Sequence, residues 1–276
     1  SEAAVSVTGK GDTTIELDGD NELKSGAGHA GLEHNKTDTS GELTIQDKDK
    51  NGSLDAAGGF KGAGIGSAGS NDAQVKITGG NITATGDDWG AGIGSGSSGT
   101  GTDGTAYVEI TGGEINATGG YLGAGIGGGC NGSGNVTISG GTITAAGSDG
   151  AAGIGGGYYN GATVTITGDA VIKNASSTKY GAGIGGGYGY DGDVTISGNA
   201  KIENATGSYG AAGIGGGAFD SPDKIGNGNV VIKDNAEIDN VQGGTFGAGI
   251  GGGIYGIGNV TIKDNAVIGT VTGNAY

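Results

Sequence analysis

The sequence is poor in residues that most folds rely on. It has one cysteine (Cys130), one proline (Pro222), no methionine and, because all 13 basic residues are lysine, no arginine. A single cysteine excludes an internal disulfide scaffold. A single proline excludes collagen, which also needs glycine at each third residue. With 13 basic against 29 acidic residues the net charge is −16. The chain therefore lacks both the positive field and the forked guanidinium donors that nucleic-acid binding uses, and no nucleic-acid partner is expected. No apolar run approaches the length of about 18 residues that a spanning helix needs, so no membrane insertion is expected. The sequence begins without methionine or a signal peptide, which reads as a mature fragment whose leader has been removed. Few cysteines, an acidic balance and abundant Thr, Ser, Asn and Gly fit a secreted or cell-surface bacterial protein.

What the sequence has in excess is glycine, 72 of 276 residues. Glycine weakens a helix interior by about 1 kcal/mol relative to alanine, so a helical protein is excluded. General disorder is excluded as well, because the glycines alternate with regularly placed Ile, Val and Ala. A GAGIG-like string recurs with its isoleucine at Ile65, Ile93, Ile126, Ile154, Ile184, Ile214 and Ile250, and Leu32 is a degenerate earlier copy. A VTIS-like motif places Ile45, Ile77, Ile110, Ile138, Ile166, Ile196, Ile232 and Ile262 in step with it. A third motif places Leu54, Ile82, Ile115, Ile143, Ile172, Ile202, Ile238 and Ile268, and Ile15 and Leu23 read as the second and third motifs of an incomplete first coil.

Each apolar stretch alternates, as in Val136-Thr137-Ile138-Ser139, which is the period of a strand. Three short strands per unit, repeated about eight times, predict an all-β, single-stranded parallel β-helix. Parallel crossovers are right-handed as a rule, and a right-handed helix is expected. The repeat continues without a linker, so residues 1–276 read as one domain with a degenerate first coil. The last motif runs to Tyr276 with no evident cap, which fits either a further domain beyond it or a C-terminal truncation. From Ile166 onward the spacing between the second and third isoleucines grows from five residues to six. Asn199, Asn235 and Asn265 fall at one corner of successive coils. By parity Asn174, Asn204 and Asn240 are expected to point inward as a second ladder.

The GAGIGGG…VTISGGTITATGG unit resembles glycine-rich repeats of secreted or cell-surface, carbohydrate-binding-like proteins of anaerobic gut bacteria. The likeness runs from about Gly26 to Gly273. It implies a β-helix module displayed outside the cell, a monomer within a longer chain, whose partner is a polysaccharide or a host or cell-surface glycan. The function this implies is non-catalytic, binding carbohydrate or acting as an adhesin. A pectin-active type of polysaccharide lyase or hydrolase is the alternative, and a purely structural spacer is a further one.

Any activity has to reside where the repeat is broken. Asp47, Asp49, Asn51, Ser53 and Asp55 lie in a D-x-D-x-N-G-x-x-D stretch, where the spacing from Ile45 to Leu54 grows to nine residues. Alternating oxygen ligands with glycine at the sixth position match the first part of a calcium loop, although the twelfth position is Gly58 in place of glutamate. The loop fits either a bound Ca2+ or a polar turn; no other cofactor is expected. Aromatic residues four to six places after the repeat isoleucine (Tyr158, Tyr159, Tyr188 and Tyr190) are expected to stack. The connections Ile93–Ile110 and Ile214–Ile232 are longer than the others and can wall a groove floored by these four tyrosines, a candidate carbohydrate site; the competing reading is a corner held by ring stacking. A second set (Phe60, Trp89, Tyr121, Tyr180, Tyr209 and Phe246) reads as packing. Asp87 and Asp88, or Asp191 and Asp193, are the carboxylate pairs nearest to rings, but nothing converges as a catalytic set. His29, Glu33 and His34 contain metal-ligand types, and read as surface polar residues of the irregular first repeat. Cys130 occupies the slot of Tyr158 and Tyr188 and reads as a lone thiol. Glu109 with Lys76, Lys173 with Glu203, and Lys201 with Glu237 are expected as cross-coil ion pairs.

Overall fold

A computed structural model describes residues 2–99, 101, 103–219, 221 and 224–274. The chain is an all-β parallel solenoid of nine turns, with no helix among the described residues. Three sheets form its walls. The first stacks two-residue strands from Val5–Ser6 and Leu32–Glu33 through Ile65–Gly66 to Ile250–Gly251. The second stacks the VTI segments from Thr13–Glu16 to Gly258–Ile262, and the third runs from Asp20–Lys24 to Val267–Asn274. Numbering coils from the N-terminus, the incomplete first repeat contributes one strand to each wall, which brings the count to nine. At about 4.8 Å per coil the rod is about 43 Å long.

The core is a set of isoleucine columns. In the second wall Ile77, Ile110, Ile138, Ile166, Ile196 and Ile232 pair in register and are fully buried. Strand Gly134–Ile138 shows why, since Val136 and Ile138 face in while Asn135 and Thr137 face out. The first wall is thinner. Its strand glycines Gly66, Gly94, Gly127, Gly155, Gly185, Gly215 and Gly251 all have φ between +132° and +141°. A Cβ on Gly127 would stand 1.9 Å from the Gly155 carbonyl oxygen, and one on Gly155 2.0 Å from that of Gly185. The Ile-Gly pair is therefore a structural unit: isoleucine fills the core, and glycine lets the next coil approach.

Three expectations need correction. Asn174, two places after Ile172, does not keep the inward parity, because the pairing register shifts between Ile143 and Thr144 against Ile172 and Asn174. A β-bulge there turns both Lys173 and Asn174 outward and returns Ala175 to the core. Asn174, Asn204 and Asn240 therefore lie on the outer face, and Asn204 donates to the carbonyl of the bulged Lys173 at 3.0 Å. In the first coil Asn21, not Leu23, takes the register of Leu54, and Leu23 pairs with Ala56. Finally, Glu33 and His34 are buried, at 6 % and 2 % exposure. Glu33 stands where the next coil has Gly66 and the first coil has Ser6, before the glycine column begins.

The corner ladder is present: Asn235 donates to Asn199 at 3.1 Å and Asn265 to Asn235 at 3.2 Å, and Asn199 donates to Asp169 at 3.0 Å. So are the ion pairs Lys76–Glu109 at 3.4 Å, Lys173–Glu203 at 3.3 Å and Lys201–Glu237 at 3.0 Å. One position breaks the pattern. Ser177 pairs with Gly147, and its buried hydroxyl has no hydrogen-bond partner. A buried unsatisfied hydroxyl is destabilising, so Ser177→Ala is expected to raise stability by about 1 kcal/mol, read as a higher urea midpoint with an unchanged slope.

Candidate functional site

The corner preceding each Ile-Gly pair is made by a residue with φ near +70°, four places before the isoleucine. Coils 2 to 9 fill it with Gly28, Lys61, Trp89, Leu122, Gly150, Tyr180, Gly210 and Phe246. The segment after the Ile-Gly pair folds back onto this same corner. Its backbone N–H groups donate to the corner carbonyls of an earlier coil: Cys130 to Trp89 at 2.8 Å, Tyr158 to Leu122 at 3.1 Å, Tyr188 to Gly150 at 2.7 Å and Ala218 to Tyr180 at 2.7 Å. The two aromatic sets that spacing separates are thereby brought onto one edge. Local spacing gives no sign of this, because the joining bonds run between coils.

Tyr158 and Tyr188 stack with centroids 4.9 Å apart and planes 7° from parallel. Tyr188 touches Tyr180 at 5.0 Å, Tyr159 at 5.4 Å and Phe219 at 4.5 Å, and is itself 5 % exposed. It is the filling of the cluster, whereas Tyr159, 38 % exposed, and the half-buried Tyr190 reach the surface. Burial, with the Tyr159 hydroxyl alongside, pushes the Tyr158 phenol far above its ordinary range, so it stays neutral.

The two long connections do meet here. Gly101 from the first and Lys224 from the second, with Asn131, Tyr159, Asn160 and Tyr190, line a depression of about 270 Å3. A neighbouring one of about 440 Å3 adds Asp191, Ile225 and Asn227. Lys224 Nζ lies 4.9 Å from the Tyr159 ring centre, 5.1 Å from that of Tyr190 and 3.3 Å from the Tyr190 hydroxyl. The site thus offers ring faces, amides and one ammonium group. Lys224 was not singled out by spacing, since it lies in a loop outside the repeat.

The first long loop is held from inside. Asp103 accepts from the Ser97 hydroxyl and, at 2.9 Å, from that of Ser98. Cys130 is buried beside them. Burial, and then the Asp103 charge, push its thiol up from 9.0 to about 11. The unfolded thiol ionises first, so this contribution is fully present below pH 9 and is lost as pH rises to about 11. The wild type is expected to lose on the order of 2 kcal/mol across that window beyond what Cys130→Ala loses, measured by thermal melts from pH 8 upward.

The remaining candidates are engaged locally. Asp47 accepts from the Asn51 and Gly52 backbone N–H groups at 3.2 and 3.1 Å, capping a turn. Asn51 and Ser53 donate to Asp18 and Asp20 of the first coil at 3.2 and 2.8 Å. Asp49 is exposed, and Asp55 faces outward on strand Ser53–Ala57. Among the described residues no three His, Cys, Asp or Glu side chains gather as a metal site. His29 Nδ1 meets Glu33 at 2.8 Å, while the ring nitrogens of His34 face the Val7 and Gly41 carbonyls at 3.1 and 3.0 Å, binding the first coil to the second. Asp87 accepts from the Asp88 N–H, Asp191 from the Asn227 N–H at 2.7 Å, and Asp193 from the Asn229 amide at 2.7 Å.

Five segments, residues 75–97, 108–130, 136–158, 160–188 and 194–218, match the family described as Beta helix repeat. The chain is a beta helix repeat protein forming a β-solenoid. Each matched segment opens on or near the inward valine of a second-wall strand and ends at the folded-back corner just described. Neither a curated protein nor a solved structure matches the chain.

Proposed function

We propose that this solenoid is a non-catalytic glycan-binding module of a secreted or cell-surface protein, and that it takes a sugar in the depression over Tyr159 and Tyr190. The observation that carries this reading is the convergence of the two long connections, which place Gly101 and Lys224 around the Tyr159 and Tyr190 rings with Asn131 and Asn160. Apolar ring bodies with polar tips suit the two-faced surface of a pyranose. Amides and an ammonium group supply the few directed polar contacts that a ligand site uses for orientation.

A glycan array followed by titration calorimetry tests this. The wild type is expected to retain a glycan, and Tyr159→Ala and Tyr190→Ala each to weaken it about tenfold, a loss of about 1.4 kcal/mol, with an unchanged melting temperature. These two are the informative positions because they are not the buried centre of the ring cluster, as Tyr188 is. Silence across the array favours a spacer, and release of reducing ends or unsaturated products favours a lyase or hydrolase.

A further inference from the structure

The rings do not stop at the depression. The chain has 14 aromatic residues. All but Tyr107, on the second wall, and Tyr276, outside the described residues, fall on the folded-back edge. Every coil from the third to the ninth contributes there: Phe60, Trp89, Tyr121, then Tyr158 and Tyr159, then Tyr180 and Tyr188, then Tyr209, then Phe246. The Phe60 and Trp89 rings are 5.6 Å apart, and the backbone N–H of Trp89 donates to the Tyr121 carbonyl at 2.7 Å. Tyr180, Tyr209 and Phe246 continue the row by edge-to-face contacts of 5.6 and 6.1 Å. The row is also open to solvent: Phe60, Tyr121, Tyr209 and Phe246 are 42 %, 49 %, 47 % and 44 % exposed.

A second observation is conformational. Trp89, Tyr180 and Phe246 hold φ of 74°, 60° and 71°, at the corner filled in other coils by Gly28, Gly150 and Gly210 and, at φ of 72° and 66°, by Lys61 and Leu122. The left-handed region is unfavourable for a bulky side chain and free for glycine. The fold thus holds rings on its surface at positions where glycine would suit the backbone better. Strain retained in this way points to use of the residue.

From this we infer that the whole edge is one extended subsite array, and that its ligand is a linear, neutral polysaccharide lying parallel to the solenoid axis. The inference rests on the glycan reading above and names the class of glycan. Six coil spacings separate Phe60 from Phe246, about 29 Å at about 4.8 Å per coil. The coil repeat is close to the length of one pyranose unit, so an unbranched chain can meet a ring at each coil, while a disaccharide in the depression reaches neither end. A net charge of −16 disfavours a polyanionic chain.

The test is a size ladder of unbranched glucan and mannan oligosaccharides, titrated from the disaccharide upward against wild type, Phe60→Ala, Phe246→Gly and the double variant. Affinity is expected to rise at least about tenfold along the ladder. The double variant is expected to lose that rise while keeping the disaccharide affinity and the melting temperature, because Phe246→Gly relieves an unfavourable φ. Affinity that does not depend on length, or a rise that survives both substitutions, overturns the inference and leaves the depression as a short-glycan site. If no oligosaccharide of either series binds a wild type that retains a glycan on the array, the inference fails and the glycan reading stands; silence on both fails the two together.

Discussion

Gly155→Ala is expected to remove at least about 3 kcal/mol of stability, seen as a large fall in the urea midpoint and in the melting temperature. Two effects add. Gly155 has φ +141°, a conformation that L side chains rarely adopt, and the new methyl would stand 2.0 Å from the Gly185 carbonyl oxygen and 3.1 Å from the Ala162 Cβ. The first atom is backbone of the next coil, so it moves only if the coil spacing opens, and the inter-coil hydrogen bonds of that wall are lost with it. Controls separate the two effects. At Gly28, φ is +87° and nothing lies within 4 Å, so Gly28→Ala carries conformational strain alone and is expected to destabilise by about 1 kcal/mol. Gly11 has neither a positive φ nor a close neighbour, and Gly11→Ala is expected to be neutral or slightly stabilising. Equal losses at all three sites would show that the glycine column is compositional and not steric.

The same column explains how much of the fold was legible. A solenoid repeats its physics once per coil, so the spacing of Ile93, Ile126 and Ile154 carries both the strand period and the stacking register, and the three walls follow. The cross-coil pairs Lys76–Glu109 and Lys201–Glu237 followed from that register alone. Parity failed where the backbone departs from a flat strand. The bulge at Lys173 and Asn174 adds one residue between Ile172 and Ile184 relative to Ile143 and Ile154, and turns two consecutive residues outward, which a strict alternation does not anticipate. The edge cluster was legible only in part. The tyrosine stack and the two long connections were visible as departures from the repeat. The joining of Tyr180 to Tyr188 was not, because it depends on a fold-back bonded between coils. Burial of Glu33 and His34 was hidden for a related reason: Glu33 lies between Ser6 of the first coil and Gly66 of the third, a contact set by stacking between coils and not by local spacing.

That dependence on neighbours gives the second large effect. Ile166→Ala and Ile262→Ala delete the same atoms from the same column of the second wall, in the sixth and the ninth coil. Ile166 is fully buried between Ile138 and Ile196, whereas Ile262 of the ninth coil is 49 % exposed, with Ile232 on one side only. Truncating a buried isoleucine removes its transfer free energy and leaves a cavity that a rigid wall closes poorly, so Ile166→Ala is expected to destabilise by about 3 kcal/mol. Ile262→Ala is expected to cost less than about 1 kcal/mol, since half of that side chain already faces water. The distinction also bears on cooperativity. In a solenoid each coil contacts only its neighbours, so stability is a sum over coils and the interfaces between them. A defect in the sixth coil weakens the interfaces on both sides and divides the stack into shorter rods, whereas one in the ninth frays an end. Chemical denaturation of Ile166→Ala is therefore expected to show a lower midpoint with a shallower or split transition, while Ile262→Ala keeps the wild-type shape. Equal shifts for the two variants would mean that the coils unfold as one indivisible unit and that position along the axis does not matter.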